Sequence, residues 1–240
     1  MKKLLVGAAL TLGLSMSAQA SMINVGGVQW DPDQTLAFPA LSDFVANGTI
    51  FETGAVQEGD VVTGRGQVTN FNSSLPNNAA FCPGCELTFT FSMVLDEDFD
   101  VSNTFKFRDL FIDFYVDHTP DFDGTAPTAG DGNLWLSLGL PPGEFLTGTG
   151  TNLGTGSDSG TGTALIDVLG GMAAGNFDTN TQVNGADMVL SSSFQPTQGQ
   201  PGLLNGTFDL TGNSIPEPSS IALLGLGLLG FAGAARRKKA

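Results

Sequence analysis

The sequence predicts an all-β fold, a β-sandwich of jelly-roll type, preceded by a signal peptide and followed by a transmembrane helix. Two observations predict the β fold. Hydrophobic and polar residues alternate with a period of two along several segments of residues 21–213, which is typical of half-buried strands. Asn-Gly and Asp-Gly pairs, which favour tight turns, separate these segments. This region has no long segment of helical period, so we expect two sheets packed face to face.

The clearest alternation predicts a strand at Glu86–Leu95, where every second residue from position 87 is Leu, Phe or Met. The Phe residues on such segments are expected to fill the core between the sheets. The same pattern predicts three further strands, at Asn133–Leu140, Met188–Phe194 and Leu204–Leu210. Thr163–Leu169 is a further candidate strand, with a helical turn near Ala164–Ile166 or Gly170–Ala174 as the alternative. A looser strand is predicted at Asp60–Phe71, broken by Gly64 and Gly66. Turns are predicted at Asn47-Gly48, Asp123-Gly124, Asp131-Gly132, Asn184-Gly185 and Asn205-Gly206.

The segment Thr104–Asp117 alternates with a change of phase. Apolar residues occupy odd positions up to Phe107 and even positions from Leu110. The slip near Arg108-Asp109 predicts a β-bulge or a corner between two sheets.

The segment Thr147–Thr163 has six Gly and six Thr in 17 residues. Such a composition indicates a flexible loop or an irregular sheet edge.

Residues 1–20 have the three parts of a secretory signal peptide. Lys2 and Lys3 form a basic start, an apolar stretch follows from residue 4 to 16, and Ala18 and Ala20 form a small-x-small cleavage site. Cleavage after Ala20 would place the body, residues 21–213, outside the cytoplasm.

Residues 214–240 form a second sorting segment. Pro216, Glu217 and Pro218 precede an apolar stretch at 221–235, and prolines keep that motif out of a helix. A 15-residue helix rises about 22 Å, short of a hydrocarbon core of about 30 Å, which indicates a temporary transmembrane anchor. Four basic residues then form a cytoplasmic stop: Arg236, Arg237, Lys238 and Lys239.

This ordered combination resembles the PEP-CTERM sorting signal of Gram-negative bacteria, also named an ice-binding protein C-terminal domain. The resemblance covers only the C-terminal segment. It implies export, transient anchoring in the inner membrane with the body in the periplasm, and processing by an exosortase. The mature protein is then expected at the cell surface or outside the cell. Because such proteins occur with exopolysaccharide and biofilm, exopolysaccharide is an expected partner.

The body is strongly acidic. Only Arg65, Lys106 and Arg108 are basic within it, against 23 Asp and Glu residues, so its net charge is about −20. Phosphate binding needs basic side chains, which excludes nucleic acid as a partner.

The cysteine pair Cys82 and Cys85 lies in a chain with an export signal. In an oxidising compartment this pair predicts a structural disulfide rather than a redox site. The chain has a single His, His118, at the end of a predicted strand, so a Ser-His-Asp site would have to use it. We interpret it as a loop residue.

Four aspartates gather around the Asp-Gly turns of one loop: Asp117, Asp121, Asp123 and Asp131. Hard oxygen ligands in a loop are what calcium prefers, although the spacing does not fit an EF-hand. We therefore predict a calcium site there and no other cofactor.

No residue pattern singles out a catalytic group, and we assign no catalytic residue. The leading expectation is a non-enzymatic protein of the cell surface or extracellular matrix. Two alternatives stay open, a polysaccharide-active enzyme using two carboxylates and a purely structural or adhesive matrix component.

Overall fold

The described part of the chain is built almost entirely from strands. The computed structural model describes residues 22–32, 44–72, 81–99 and 103–215. Besides strands, these residues contain one short helix, α1 (Ala174–Phe177), and a 3-10 turn at Val183–Gly185. The strands are β1 (Ile23–Val25), β2 (Val28–Trp30), β3 (Phe44–Thr53), β4 (Val61–Phe71), β5 (Glu86–Leu95), β6 (Thr104–Asp117), β7 (Asn133–Gly139), β8 (Leu146–Thr151), β9 (Ser159–Gly170), β10 (Met188–Pro196) and β11 (Leu203–Gly212).

Strands β3 to β11 form one antiparallel sheet that closes on itself. Its hydrogen-bonded order is β10, β11, β3, β4, β5, β6, β7, β9 and β8, and a further pairing of β10 with β9 joins the two ends. The result is a barrel of eight strands. Strand β8 pairs with β6 and β9, so it occupies the same position in the barrel as β7. Strands β1 and β2 form a separate hairpin.

The predicted all-β fold is confirmed, whereas the predicted sandwich is not. The described strands of the main sheet belong to a single closed sheet rather than to two sheets packed face to face. Alternation with period two identifies a buried face on each strand. It does not tell whether the residues opposite that face belong to a second sheet or to the far wall of the same one.

The phase change predicted in β6 is a β-bulge. One residue of β5, Met93, lies opposite two residues of β6, Asp109 and Leu110. Asp109 has a φ of 54°, in the left-handed region, and the alternation resumes in the opposite phase beyond it. Because β6 stays within one sheet on both sides of the bulge, the alternative of a corner between sheets is wrong.

Gly64 and Gly66 do not break β4, contrary to the prediction. They pair with Phe91 and Phe89 on β5. A Cβ atom on Gly66 would lie 2.4 Å from the ring of Phe89, so the ring occupies the space that a side chain would need. The glycines therefore accommodate aromatic rings across the strand pair.

Two of the predicted Asn-Gly turns lie inside strands instead. Gly48 is in the middle of β3, and Gly206 is in β11. A Cβ atom on Gly48 would lie 2.0 Å from the carbonyl oxygen of Gln67, so close approach of β4 explains that glycine. The turn predicted at Asn184-Gly185 is confirmed.

The Gly- and Thr-rich segment at 147–163 is also more regular than predicted. It forms most of β8 and the start of β9, which pair with each other around a turn. A Cβ atom on Gly148 would lie 2.3 Å from the ring of Phe105, so glycine lets this aromatic ring pack against the strand.

Aromatic rings fill the end of the barrel where β3 begins and β4 ends. Trp30, from the β1–β2 hairpin, stacks on Phe177 of α1 with ring centroids 5.0 Å apart and meets Trp135 at 6.1 Å. Phe44 and Phe71 stack on each other at 6.0 Å. We call these five residues the aromatic cluster. All five are buried, and they close this end of the barrel.

Hydrogen bonds fix the hairpin to this end. The indole Nε1 of Trp30 donates to Ser214 Oγ at 3.2 Å, and that of Trp135 donates to the carbonyl oxygen of Val25 at 3.0 Å. The β1–β2 hairpin is thereby joined both to β7 and to the residues after the last strand.

Within the four described ranges, no helix is long and apolar enough to cross a membrane. The transmembrane helix predicted at 221–235 lies outside those ranges.

Candidate functional site

The bulge in β6 coincides with a change of partner strand. Residues 104–107 of β6 pair with β8, and residues 111–116 pair with β7. The bulge between these two stretches turns both Arg108 and Asp109 outward, next to the outward-facing Phe111. Bulges are known to re-aim side chains in this way near binding sites.

A groove of about 340 Å³ lies on the outside of the barrel at this point. Phe111, whose side chain is 51% exposed, lies on one side of it. The loop between β7 and β8, with Pro141, Pro142 and Glu144, forms another side. The volume lies in the range typical of small-molecule and saccharide pockets, about 300–1,000 Å³. We call this feature the bulge groove.

Ion pairs organise the charges along the bulge groove. Asp96 accepts from Lys106 at 3.1 Å and from Arg108 at 3.3 Å, and Arg108 also pairs with Asp109. The ammonium of Lys106 lies 3.6 Å from the centroid of the Phe145 ring. The groove thus combines an exposed aromatic ring with fixed charges of both signs.

The third basic residue of the described chain is engaged as well. Arg65 Nε donates to the carbonyl oxygen of Gly124 at 2.6 Å, and its guanidinium lies 6.0 Å from the centroid of the Phe51 ring. Because all three body cations have local partners, most of the acidic residues outside the groove carry uncompensated charge.

Inside the barrel, at the end opposite the aromatic cluster, lie two adjoining cavities of about 40 Å³ each. They share four wall residues, Glu52, Met93, Leu146 and Ser192. Barrels of about eight strands have interiors just wide enough to be filled by side chains or to hold one small ligand. We call the pair the barrel cavity.

Glu52 points into the barrel cavity because it lies on the inward phase of β3, with Phe44, Ala46 and Ile50. Its side chain is buried, and burial raises the pKa of its carboxyl to about 7. The carboxyl is therefore about half ionised at neutral pH.

Asp158 is a second buried carboxyl in the wall of the same cavity. Its Oδ1 atom accepts a hydrogen bond from the backbone N–H of Thr155 at 3.2 Å. Its Oδ2 atom is buried and has no hydrogen-bond partner among the described residues. Neither Glu52 nor Asp158 belongs to the site residues predicted from the sequence.

The loop predicted to bind calcium does bring carboxylates together, but in a different set. Single oxygen atoms of Glu86, Asp117 and Asp121 all lie within 4.8 Å of one another. Burial is the largest cause of the raised pKa of Glu86, and nearby Asp117 and Asp121 raise it further. Burial, then Asp131, also raises the pKa of Asp121. Glu86 was missed because it begins a strand far from the loop in sequence.

Much of the hydrogen-bonding capacity of this cluster is already used. Glu86 Oε1 accepts from the backbone N–H groups of Asp121 and Phe122, at 2.9 and 3.0 Å. Asp123 turns away and accepts from Thr125 N and Thr128 Oγ1, which lowers its pKa. The structure thus places Asp117 and Asp121 with Glu86, and Asp123 outside that group. Calcium binding stays a prediction.

The sulfur atoms of Cys82 and Cys85 are bonded to each other, with Cα atoms 5.1 Å apart, immediately before β5. His118 is exposed in the loop after β6. The Cβ position of Gly27 lies 2.9 Å from the His118 ring and 3.3 Å from Cys85 Sγ, so histidine and disulfide are near neighbours.

The remaining predicted residues lie outside the described ranges. They are the signal cleavage residues Ala18 and Ala20, the sorting motif Pro216, Glu217 and Pro218, and the basic stop Arg236, Arg237, Lys238 and Lys239.

Fold and sequence together define an all-β barrel body that ends in a C-terminal sorting signal. Residues 214–238 match the PEP-CTERM protein-sorting motif, and the chain is therefore a protein with a PEP-CTERM sorting signal. The motif implies recognition by an exosortase, export, and membrane-anchored transit before processing. The match begins two residues after β11 ends.

Comparison with other known proteins adds little. The chain has no significant match among curated proteins. One similar solved structure is a nonspecific heme-binding cyclase that catalyses a (4 + 2) cycloaddition during neoabyssomicin biosynthesis. It is 16% identical over 78% of this chain and 75% of its own, with a TM-score of 0.28. Another is the Diels Alderase AbmU from Streptomyces koyangensis, 14% identical over 92% of this chain and 86% of its own, with a TM-score of 0.24. At these TM-scores the likeness carries no argument about fold or activity.

Proposed function

We propose that this exported protein is a non-enzymatic component of the cell surface or extracellular polysaccharide matrix, and that its barrel contacts exopolysaccharide along the bulge groove. The observation that carries the proposal is the PEP-CTERM motif at residues 214–238. Proteins sorted by an exosortase act outside the cytoplasm, where polysaccharide is the abundant polymer around the cell.

The chemistry of the bulge groove supports contact with a saccharide. Sugar rings bind through apolar faces that pack on aromatic side chains and through hydroxyls that hydrogen-bond to charged groups. The exposed ring of Phe111 offers the first kind of contact, and Asp109, Arg108 and Glu144 offer the second. The groove lies on the outside of the barrel, where a saccharide unit of a polymer can reach it.

The alternative of a polysaccharide-active enzyme with two carboxylates has less support. In the bulge groove, Asp96 and Asp109 are both ion-paired with Arg108, which leaves Glu144 as the groove carboxylate outside that network, whereas the two-carboxylate mechanism needs a second. The two buried carboxyls, Glu52 and Asp158, face cavities of about 40 Å³ each, too small for a polysaccharide chain.

Processing is tested in a host with and without its exosortase. With the enzyme present, mass spectrometry of the exported protein should find a product that lacks the C-terminal segment. Without it, the full-length chain should stay in the membrane fraction. Replacing Glu217 by Ala should reduce processing, and Ser220→Ala serves as the matched control. Unchanged processing in the host without exosortase would contradict the proposal.

Polysaccharide binding is tested by co-sedimentation of the purified protein with exopolysaccharide from the same cells. The change Phe111→Ala should weaken binding by about 10-fold or more, because an exposed aromatic ring in the wall of a groove carries a large share of the contact. The control is Val61→Ala, which removes an equally exposed apolar side chain elsewhere on the barrel. If both variants sediment like the parent, the groove is not the polysaccharide site.

A further inference from the structure

The barrel cavity has features that the sorting signal and the bulge groove do not explain. In many barrels of about eight strands, side chains fill the interior. Here two adjoining hollows remain, and both face the same carboxyl, that of Glu52. A hollow costs packing energy, so an unfilled interior with an acidic wall residue requires a reason.

The strongest observation is the unpartnered oxygen of Asp158. The residue is 4% exposed, and its Oδ2 atom is buried without any hydrogen bond from the described residues. Leaving a buried charged acceptor unsatisfied costs several kcal/mol unless something outside the protein provides a partner. Asp158 lines the barrel cavity, which makes the cavity the place where a partner for that oxygen would lie.

The other residues that line the barrel cavity indicate the chemical class of that partner. Eight phenylalanines border the two hollows, four in each. In the first hollow the rings of Phe105 and Phe107 lie 5.7 Å apart and those of Phe105 and Phe194 lie 5.6 Å apart. Carboxylates attract a cation, and aromatic faces attract an organic cation through their quadrupoles. An inorganic cation would instead require several more oxygen ligands, and the side chains of the described wall add only the hydroxyls of Thr53 and Ser192 to the two carboxyls.

We propose that the barrel cavity binds a small organic ammonium ion, whose charged nitrogen is recognised by Glu52 and Asp158 and whose alkyl part packs against the phenylalanine walls. The two hollows of about 40 Å³ each suit a ligand with a short alkyl chain rather than a sugar or a lipid. The acidic body concentrates cations at its surface and so favours their capture.

Protonation of the site supports this assignment. Burial raises the pKa of Glu52 to about 7, whereas an alkylammonium ion stays protonated well above that pH. Binding of the cation and ionisation of Glu52 therefore favour each other. Affinity is expected to rise about 10-fold between pH 6 and pH 8, as the ionised fraction of Glu52 rises by that factor.

The test uses three probes of matched shape, n-butylammonium, 1-butanol and butyrate, and calorimetric titration of the purified full chain at pH 8. We expect n-butylammonium to bind at least about 10-fold more tightly than the alcohol, and butyrate to bind most weakly. Equal affinity for the ammonium and the alcohol, or no heat of binding for the ammonium at 50 mM (roughly the limit of useful affinity for a five-atom ligand), would overturn the proposal.

Three variants locate the site. Glu52→Gln and Asp158→Asn should each weaken n-butylammonium binding by about 10-fold at pH 8, and Glu52→Gln should also abolish its pH dependence between 6 and 8. Glu97→Gln, which removes an exposed carboxylate of the neighbouring loop, should change neither. If Glu97→Gln weakened n-butylammonium binding by the same factor, the cause would be general charge attraction, and the assignment would be refuted.

Ser192→Leu provides a test that keeps both carboxyls. Ser192 lines both hollows, so a leucine there should occupy the cavity and reduce binding at least about 10-fold. Circular dichroism and a cooperative melting transition check that each variant is folded. If the filled variant binds n-butylammonium as the parent does, the ligand lies outside the barrel and the proposal fails.

Discussion

The two ends of the barrel use the same strands but have different interiors. At one end, Trp30, Trp135 and three phenylalanines leave a hollow of only about 10 Å³. Toward the other end, two larger hollows remain; Glu52 lines both of them and Asp158 lines one. Buried rings stabilise a fold, whereas buried carboxyls in a hollow destabilise it. The difference indicates that the aromatic end stabilises the barrel and that the other end is reserved for a ligand.

The largest expected effect comes from breaking the aromatic end. The change Trp30→Ala removes a buried ring that contacts Phe177 and Trp135, together with its hydrogen bond to Ser214, and should lower the free energy of unfolding by about 3–5 kcal/mol. Urea denaturation measures it. Leu153→Ala, a half-buried residue at the cavity end, is the control, with an expected loss of about 1 kcal/mol. Equal losses would remove the contrast between the ends.

The second largest expected effect is a gain in the free energy of unfolding, on replacing Glu52. The folded-state pKa of Glu52 lies near 7, above its ordinary 4.5, so folding favours the protonated form. The stability it provides is complete below about pH 4.5 and is lost as pH rises through 7. Glu52→Gln removes that loss and should stabilise the protein by up to about 3 kcal/mol at pH 8, with little change at pH 4.5.

The measurement is urea denaturation of parent and Glu52→Gln protein at the two pH values, with Glu58→Gln, an exposed carboxyl, as the control. A destabilising effect of Glu52→Gln at pH 8 would mean that the carboxylate has a stabilising partner. A variant that gains stability while losing n-butylammonium affinity would instead be typical of a residue kept for binding.

The disulfide should contribute less than the aromatic rings. Cys82 and Cys85 are three residues apart, and a loop this short restricts the unfolded chain little. Replacing both by Ser should cost about 2 kcal/mol by loop entropy. Mild reduction of the parent protein is the matched control and should lower the denaturation midpoint equally. A loss as large as that of Trp30→Ala would show that the disulfide, not the rings, holds this end together.

Calcium gives the smallest expected effect, because Glu86 already accepts backbone hydrogen bonds. If the predicted site exists, 1 mM calcium (roughly 10 times a typical extracellular Kd at its tight end) should stabilise the protein by about 1.4 kcal/mol and raise Tm by about 3–6 °C. Asp121→Asn should abolish the shift, and Glu97→Gln should retain it. No change of Tm on calcium titration of the parent protein would refute the site.

The strands that the sequence predicts best are those with one continuous apolar face. In β5 every inward position is apolar, and both its ends were predicted correctly. The bulge was also predictable, because a one-residue slip moves apolar side chains from one parity to the other. By contrast, β3 was missed because Asn47-Gly48 has the composition of a turn, and only the close approach of β4 explains the glycine.

The barrel cavity was less predictable than the fold. Glu52 had one usable signal, since it occupies the inward phase set by Phe44, Ala46 and Ile50. No sequence pattern indicated that Asp158 is buried, because it lies among glycines and threonines and its burial depends on strands distant in sequence. Closure of the sheet was likewise not predictable from the sequence, because it depends on the pairing of β9 with β10 and of β3 with β11. Local periodicity does not encode such contacts.

The pairing of β3 with β11 also determines when the barrel can fold during export of the chain. It joins residues 44–53 to residues 203–212, so the barrel cannot close until nearly all of the body is available. A chain exported from its N-terminus delivers β11 last, and Ser214, which binds Trp30, is the first residue of the matched sorting motif. Contacts of such long range also fold slowly. The barrel therefore becomes able to close only as the sorting signal arrives at the membrane, and an exosortase that acts there meets a chain that has only just become able to fold.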